Sequence, residues 1–149
     1  MNINDNVYDA VKMLIKISKN AQESRPDLKE SMDYGLWLRE FCTVKIGCAR
    51  CTGHTTSISR LIKENNMKLG VIFGNHQMQN LFLDKDKLVF STTMKNHEEF
   101  LEGQKFEDLD GVVIDTSFLM SQRKQDKMAG IFRFLIEDTN RPFFIIFLQ

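Results

Sequence analysis

Proline is scarce in this chain, with 2 in 149 residues, and glycine is modest at 8, so a collagenous or long disordered composition is excluded. Charge of one sign is lacking too: Lys+Arg and Asp+Glu are both 20, giving a formal net charge of zero. A protein that coats nucleic acid through bulk charge would carry a basic excess, so any nucleic-acid contact has to come from a local patch. The same neutrality removes one barrier to self-association, which leaves a homo-oligomer or a protein partner open. No apolar run approaches the roughly 18 residues that a membrane-spanning helix requires; the longest, Pro142 to Leu148, has the length of a strand. Cysteine is limited to Cys42, Cys48 and Cys51, an odd number clustered within ten residues and a poor disulfide framework. The opening Met1-Asn2-Ile3-Asn4-Asp5-Asn6 has neither a basic leader nor an apolar core of the secretory kind, so a cytoplasmic location is the expectation.

What the chain does have is hydrophobic periodicity. Val7, Val11, Leu14, Ile15 and Ile17 predict a helix from about Asn6 to Asn20, with Asp5 as N-cap. Leu28, Met32, Leu36 and Trp37 predict a second, running to about Phe41. Together, residues 1–42 read as a helical extension packed on a core of residues 43–149. Within that core short apolar runs alternate with helical patterns. Strands are expected at Val44–Ile46, Lys68–Phe73, Lys87–Ser91, Gly111–Asp115 and Pro142–Leu148; helices are expected at Thr56–Asn65, Gln77–Leu83, Glu98–Leu101 and Gln122–Asp138. The strands are continuous rather than alternating apolar runs, as burial on both faces requires. The expected fold class is therefore α/β: a mostly parallel sheet flanked by helices in three layers, with an N-terminal helical extension.

The chemistry concentrates between the first expected strand and the helix after it, in Cys48-Ala49-Arg50-Cys51-Thr52-Gly53-His54-Thr55. A loop leading from a strand into a helix N-terminus points backbone N–H groups inward, and the helix dipole adds positive potential. A phosphate-binding loop of Gly, four residues, Gly, Lys and Ser/Thr is matched at Gly53 and Thr55. Cys48 stands at the first glycine and His54 at the lysine, so a shorter, mostly neutral side chain replaces a permanent charge. Arg50 is a candidate source of the missing charge, Thr52 belongs to the same loop, and Thr56 is placed to cap the helix or touch an α-phosphate. Thr55 and Asp115, at the end of an apolar strand, are the candidate Mg²⁺ ligands.

The order of loop, intermediate strands, apolar strand ending in Asp115, helix and polar-ended strand resembles the first RecA-like core of helicases and phage terminases. The Gly53-His54-Thr55-Thr56 form is similar to small, often phage-encoded P-loop proteins in which the lysine is replaced. The resemblance spans residues 43–149. It implies a bound Mg²⁺–ATP or other nucleoside triphosphate and, for a phage protein, the cytoplasm of the host cell. It also implies weak or absent hydrolysis, because Thr116 follows Asp115 where many such ATPases place a catalytic glutamate. In related ATPases a polar residue that senses the γ-phosphate often stands where Gln149 does. The alternative implied by the same losses is a catalytically inert module that acts on a partner protein.

Other readings weigh less. Cys42, Cys48, Cys51 and His54 offer four potential Zn²⁺ ligands, with knuckle spacing in Cys48-x2-Cys51. A second paired cluster is missing, Cys42 lies across an expected strand, and zinc would consume the phosphate loop, so the pattern speaks against it. Cys48 and Cys51 near a helix N-terminus are also candidates for a redox-sensitive loop. His76 and His97 stand alone and read as surface residues. Lys85, Lys87, Lys95, Arg123, Lys124 and Lys127 read as a solvated helix face, or else as a basic rim at the sheet's C-terminal edge.

Overall fold

In a computed structural model, which describes residues 3–47, 53–116, 120–136 and 138–149, with the side chains of residues 3–5 excepted, five strands form one sheet. They are β1 (Thr43–Ile46), β2 (Leu69–Phe73), β3 (Phe90–Thr93), β4 (Gly111–Asp115) and β5 (Phe144–Leu148), in the order β1-β5-β4-β2-β3. Every pairing is parallel, and the register aligns Val44 with Ile146, Val113 with Ile146 and Val71 with Val113. The chain is thus an α/β protein with an all-parallel sheet.

Parallel strands need helical crossovers, and here these cover both faces. One face carries α1 (Ile3–Ser24), α4 (His54–Asn65) and α5 (His76–Leu81), which bury Val11, Ile58, Leu61 and Phe73 with Val44, Val71, Val113 and Ile146. The other carries α3 (Tyr34–Phe41), α6 (His97–Leu101) and α7 (Gln122–Phe132), which bury Trp37, Leu38, Leu101 and Phe132 with Ile72, Ile114, Ile145 and Phe147. The short helix α2 (Pro26–Ser31) joins α1 to α3. Alternate residues of each strand serve opposite faces, which is why the central strands are apolar throughout. β1 is the exception that marks an edge: Val44 and Ile46 are buried and Lys45 is exposed. Among the described residues no helix is long and apolar enough to cross a membrane.

Several boundaries differ from the sequence expectation; α1 begins at Ile3, so Asp5 lies inside it rather than capping it, and four larger differences have a physical reason. The first helix continues past Asn20 to Ser24 because Gln22, although polar, is bonded to the backbone of Phe143 at both ends of its amide. The second is two helices: Met32 is extended at ψ 151° and Asp33 restarts the chain by accepting from the N–H of Leu36. The third strand is shifted to Phe90–Thr93, since Lys85–Lys87 form a short 3-10 turn. Helix α7 stops at Phe132 instead of Asp138: the Leu135 carbonyl accepts from Phe106 N–H at 2.7 Å and Ile136 bridges Phe106, which pulls that segment out of the helix.

Candidate functional site

The C-terminal edge of the sheet is organised by where each strand's outgoing chain turns. The chain after β1 enters α4 on one face, and the chain after β4 leads to α7 on the other, with β5 between them. In open parallel sheets such a divergence is where ligands usually bind, in a crevice above the strand ends.

His54 enters from one side of that crevice and Asp115 from the other. His54 is the first residue of α4, and Asp115 is the last of β4 and 3% exposed. Their side chains meet with Nδ1 3.4 Å from Oδ1. The remaining ring nitrogen, Nε2, is buried and has no hydrogen-bond partner among the described residues. The Asp115 backbone is fixed independently, its carbonyl accepting from Gly74 N–H at 2.8 Å, so the carboxylate stands on a rigid strand end.

Helix α4 begins without a side-chain cap. Its N-cap is Gly53, at φ 90°, a left-handed conformation that glycine adopts without the steric penalty of a Cβ. By contrast α3, α5 and α7 start on Asp33, Asn75 and Ser121, each of which accepts from a first-turn N–H. The Gly53 carbonyl accepts from the N–H of Ser57 at 2.9 Å. Among the described residues the first turn of α4 therefore has no capping side chain, and the exposed Thr55 and Thr56 lie within it. Of the other loop candidates, Cys48, Arg50 and Thr52, together with Cys51, lie outside the described residues.

Gln149 closes the crevice from the middle strand. Its N–H donates to Ile46 O at 2.9 Å, and its side-chain Oε1 accepts from Met120 N–H at 2.6 Å. Thr116 N–H donates to Leu148 O at 3.0 Å, and Gln125 Nε2 donates to Met120 O at 3.0 Å. The polar end of β5 thus ties β1 to the start of the α7 segment. Apart from the local Gln125–Met120 bond, nothing in the sequence spacing reveals these bonds, because each joins residues that the strand order brings together.

Several candidates fall elsewhere. Cys42 is buried at the C-cap of α3, before β1, whereas His54 follows β1; a four-residue strand rises about 13 Å, so the two cannot share one tetrahedral ion with Cys48 and Cys51. Burial pushes the Cys42 thiol up to about 12. Among the described residues no group of three or more His, Cys, Asp or Glu side chains is spaced to hold a metal. His97 is not a surface residue: it is 4% exposed, with Nδ1 2.9 Å from Met94 O. His76 is exposed. The six basic residues do not make one rim. Lys85 and Lys87 precede β3, at the N-terminal edge, while Lys95, Arg123, Lys124 and Lys127 follow β3 and β4, at the C-terminal edge.

No protein-family model matches the chain, and no curated protein or solved structure matches it either.

Proposed function

We propose that the chain binds a Mg²⁺–nucleoside triphosphate in the crevice at the C-terminal edge of its sheet and hydrolyses it weakly or not at all. The observation that carries this reading is the meeting of His54 with Asp115, from opposite halves of the chain, beside an uncapped helix N-terminus. The first-turn amides of α4 and its dipole suit the phosphates. In this reading Arg50 would supply the loop's charge, His54 would stand at the lysine position, and Cys48, Thr52 and Thr56 would contribute to the same phosphate site.

The donor set fits Mg²⁺, which takes one or two protein oxygens and otherwise keeps water and phosphate oxygens. Thr55 would supply a hydroxyl and Asp115 a buried carboxylate. When bound, the ion neutralises phosphate charge. Weak hydrolysis follows from the residues themselves. An imidazole on its short stem reaches a leaving phosphate less fully than a lysine ammonium on a longer one, so it stabilises less of the developing charge. Thr116, bonded through its backbone to Leu148, supplies no carboxylate to orient water.

The second reading, an inert module acting on a partner protein, is favoured by one feature of the same contact. His54 already lies against Asp115 Oδ1, so one of the two oxygens of the proposed metal ligand is engaged within the chain. Hydrogen exchange of the whole chain with and without MgATP or MgGTP separates the two. The nucleotide reading requires slower exchange at the amides of residues 54–57 and 115–116, abolished by Asp115→Ala. Unchanged exchange across both segments at saturating nucleotide would refute it.

A further inference from the structure

At the opposite, N-terminal edge of the sheet lies a groove of about 540 Å³ between α1, the end of α4 and the segment entering β5. Its size falls within the range of natural ligand clefts. Ile15, Met67 and Pro142, all partly exposed, line it above the buried Leu61 and Phe144. One wall is cationic. Lys12, Lys16 and Lys19 lie on one face of α1, three and four residues apart, and span about 10 Å along the helix at 1.5 Å per residue.

Lys12 interacts electrostatically with Glu64, and the other two charges are unanswered among the described residues. Lys16 and Lys19 have neither an ion pair nor a hydrogen bond among the described residues, and Lys12 lies 5.2 Å from the centroid of the Tyr8 ring. Arg141, at the far end, is already held by Asp110 at 2.6 Å and Asp108 at 3.3 Å. Glu23 is the other acidic lining residue. The groove therefore combines an apolar floor, one satisfied end and a row of three lysines.

We propose that this groove docks an acidic amphipathic helix of a partner protein. A row of cations at helical spacing complements carboxylates repeated at i, i+4 and i+7, and apolar side chains on the same face would fill the floor. The apolar floor argues for a peptide over a nucleic-acid strand, whose backbone would meet the lysines but leave Ile15, Met67 and Pro142 unfilled. The inference is independent of the nucleotide site, which lies at the other edge of the sheet.

The test is selection of helical peptides from a random display library on the full chain, with counter-selection on Lys12→Glu/Lys16→Glu/Lys19→Glu. Fluorescence anisotropy with the enriched peptides follows. Enriched sequences should carry acidic residues at helical spacing beside apolar ones. Their affinity should fall by roughly tenfold or more in the triple variant, and similarly in Met67→Asp, which keeps all three lysines. Circular dichroism confirms that each variant is folded. No enrichment, enriched peptides without acidic residues, or affinity unchanged in both variants would overturn the proposal. So would a single-stranded oligonucleotide that binds through the three lysines and displaces the peptides.

Discussion

Replacing Gln22 with leucine probes how α1 is fastened to the sheet. Gln22 is 8% exposed, and its amide is used at both ends: Nε2 donates to Phe143 O at 2.9 Å and to Ser18 Oγ at 3.1 Å, while Oε1 accepts from Phe143 N–H at 3.1 Å. Leucine is close in size, so the cavity term is small and the loss is polar. Two backbone groups of Phe143 lose their partners, and each buried unsatisfied group costs about 1–3 kcal/mol. The added apolar burial offsets about 1 kcal/mol, which leaves a net loss of about 1–5 kcal/mol. At roughly 2–4 °C per kcal/mol for a domain of this size, the midpoint should fall by about 2–20 °C. Urea unfolding followed by far-UV circular dichroism gives the free energy directly. Gln22→Glu should not rescue: its carboxylate can accept from Phe143 N–H but cannot donate to Phe143 O. A Gln22→Leu variant within about 0.5 kcal/mol of the parent would refute the claim that this amide anchors α1.

The other predictions concern smaller sites. Gly111→Ala should destabilise by about 1–3 kcal/mol, because an added Cβ would lie 2.6 Å from the backbone carbonyl of Phe144 in the neighbouring strand; thermal denaturation checks this. Gly53→Ala should cost about 1–2 kcal/mol at φ 90°, and Gly53→Asn less, since asparagine tolerates left-handed backbone; the same assay ranks them. In a Cys48→Ser/Cys51→Ser background the remaining thiol, Cys42, should resist alkylation at pH 8 in the folded protein and react only as the chain unfolds. Its burial also sets a sign. The thiol is raised from about 9 to about 12 on folding, so the unfolded chain ionises first; the associated stability is full below pH 9 and is lost as pH rises towards 12. Denaturant midpoints for Cys42→Ala and its parent at pH 7 and 10.5 should converge at the higher value.

The helix-and-strand alternation was legible because parallel strands buried on both faces leave continuous apolar runs, and Gly111–Asp115 and the run ending at Leu148 stand out on that ground alone. Strand order was not legible. Placing β5 between β1 and β4 depends on pairings between distant segments that no local pattern encodes, and that insertion decides what Gln149 does. Helix ends failed where a tertiary contact outweighed periodicity, as at Leu135 and Ile136, which continue the stripe of α7 yet bridge to Phe106. His97 read as isolated because its partner is the carbonyl of Met94, and every residue type carries a carbonyl. Within the candidate site, Gly53, His54 and Asp115 were visible as residue types at suggestive positions. Their convergence is a product of topology.

The most direct test of the central claim is a calorimetric titration of MgATP, and separately MgGTP, into chelator-treated protein at moderate salt. The account predicts saturable one-to-one binding, weakened by about tenfold or more in Thr55→Ala and in Asp115→Ala, as expected when a charge-assisted contact of roughly 1.5–3 kcal/mol is removed. No binding heat for either nucleotide at several temperatures, from protein shown to be folded, would contradict it and leave the crevice a structural feature of an interaction module.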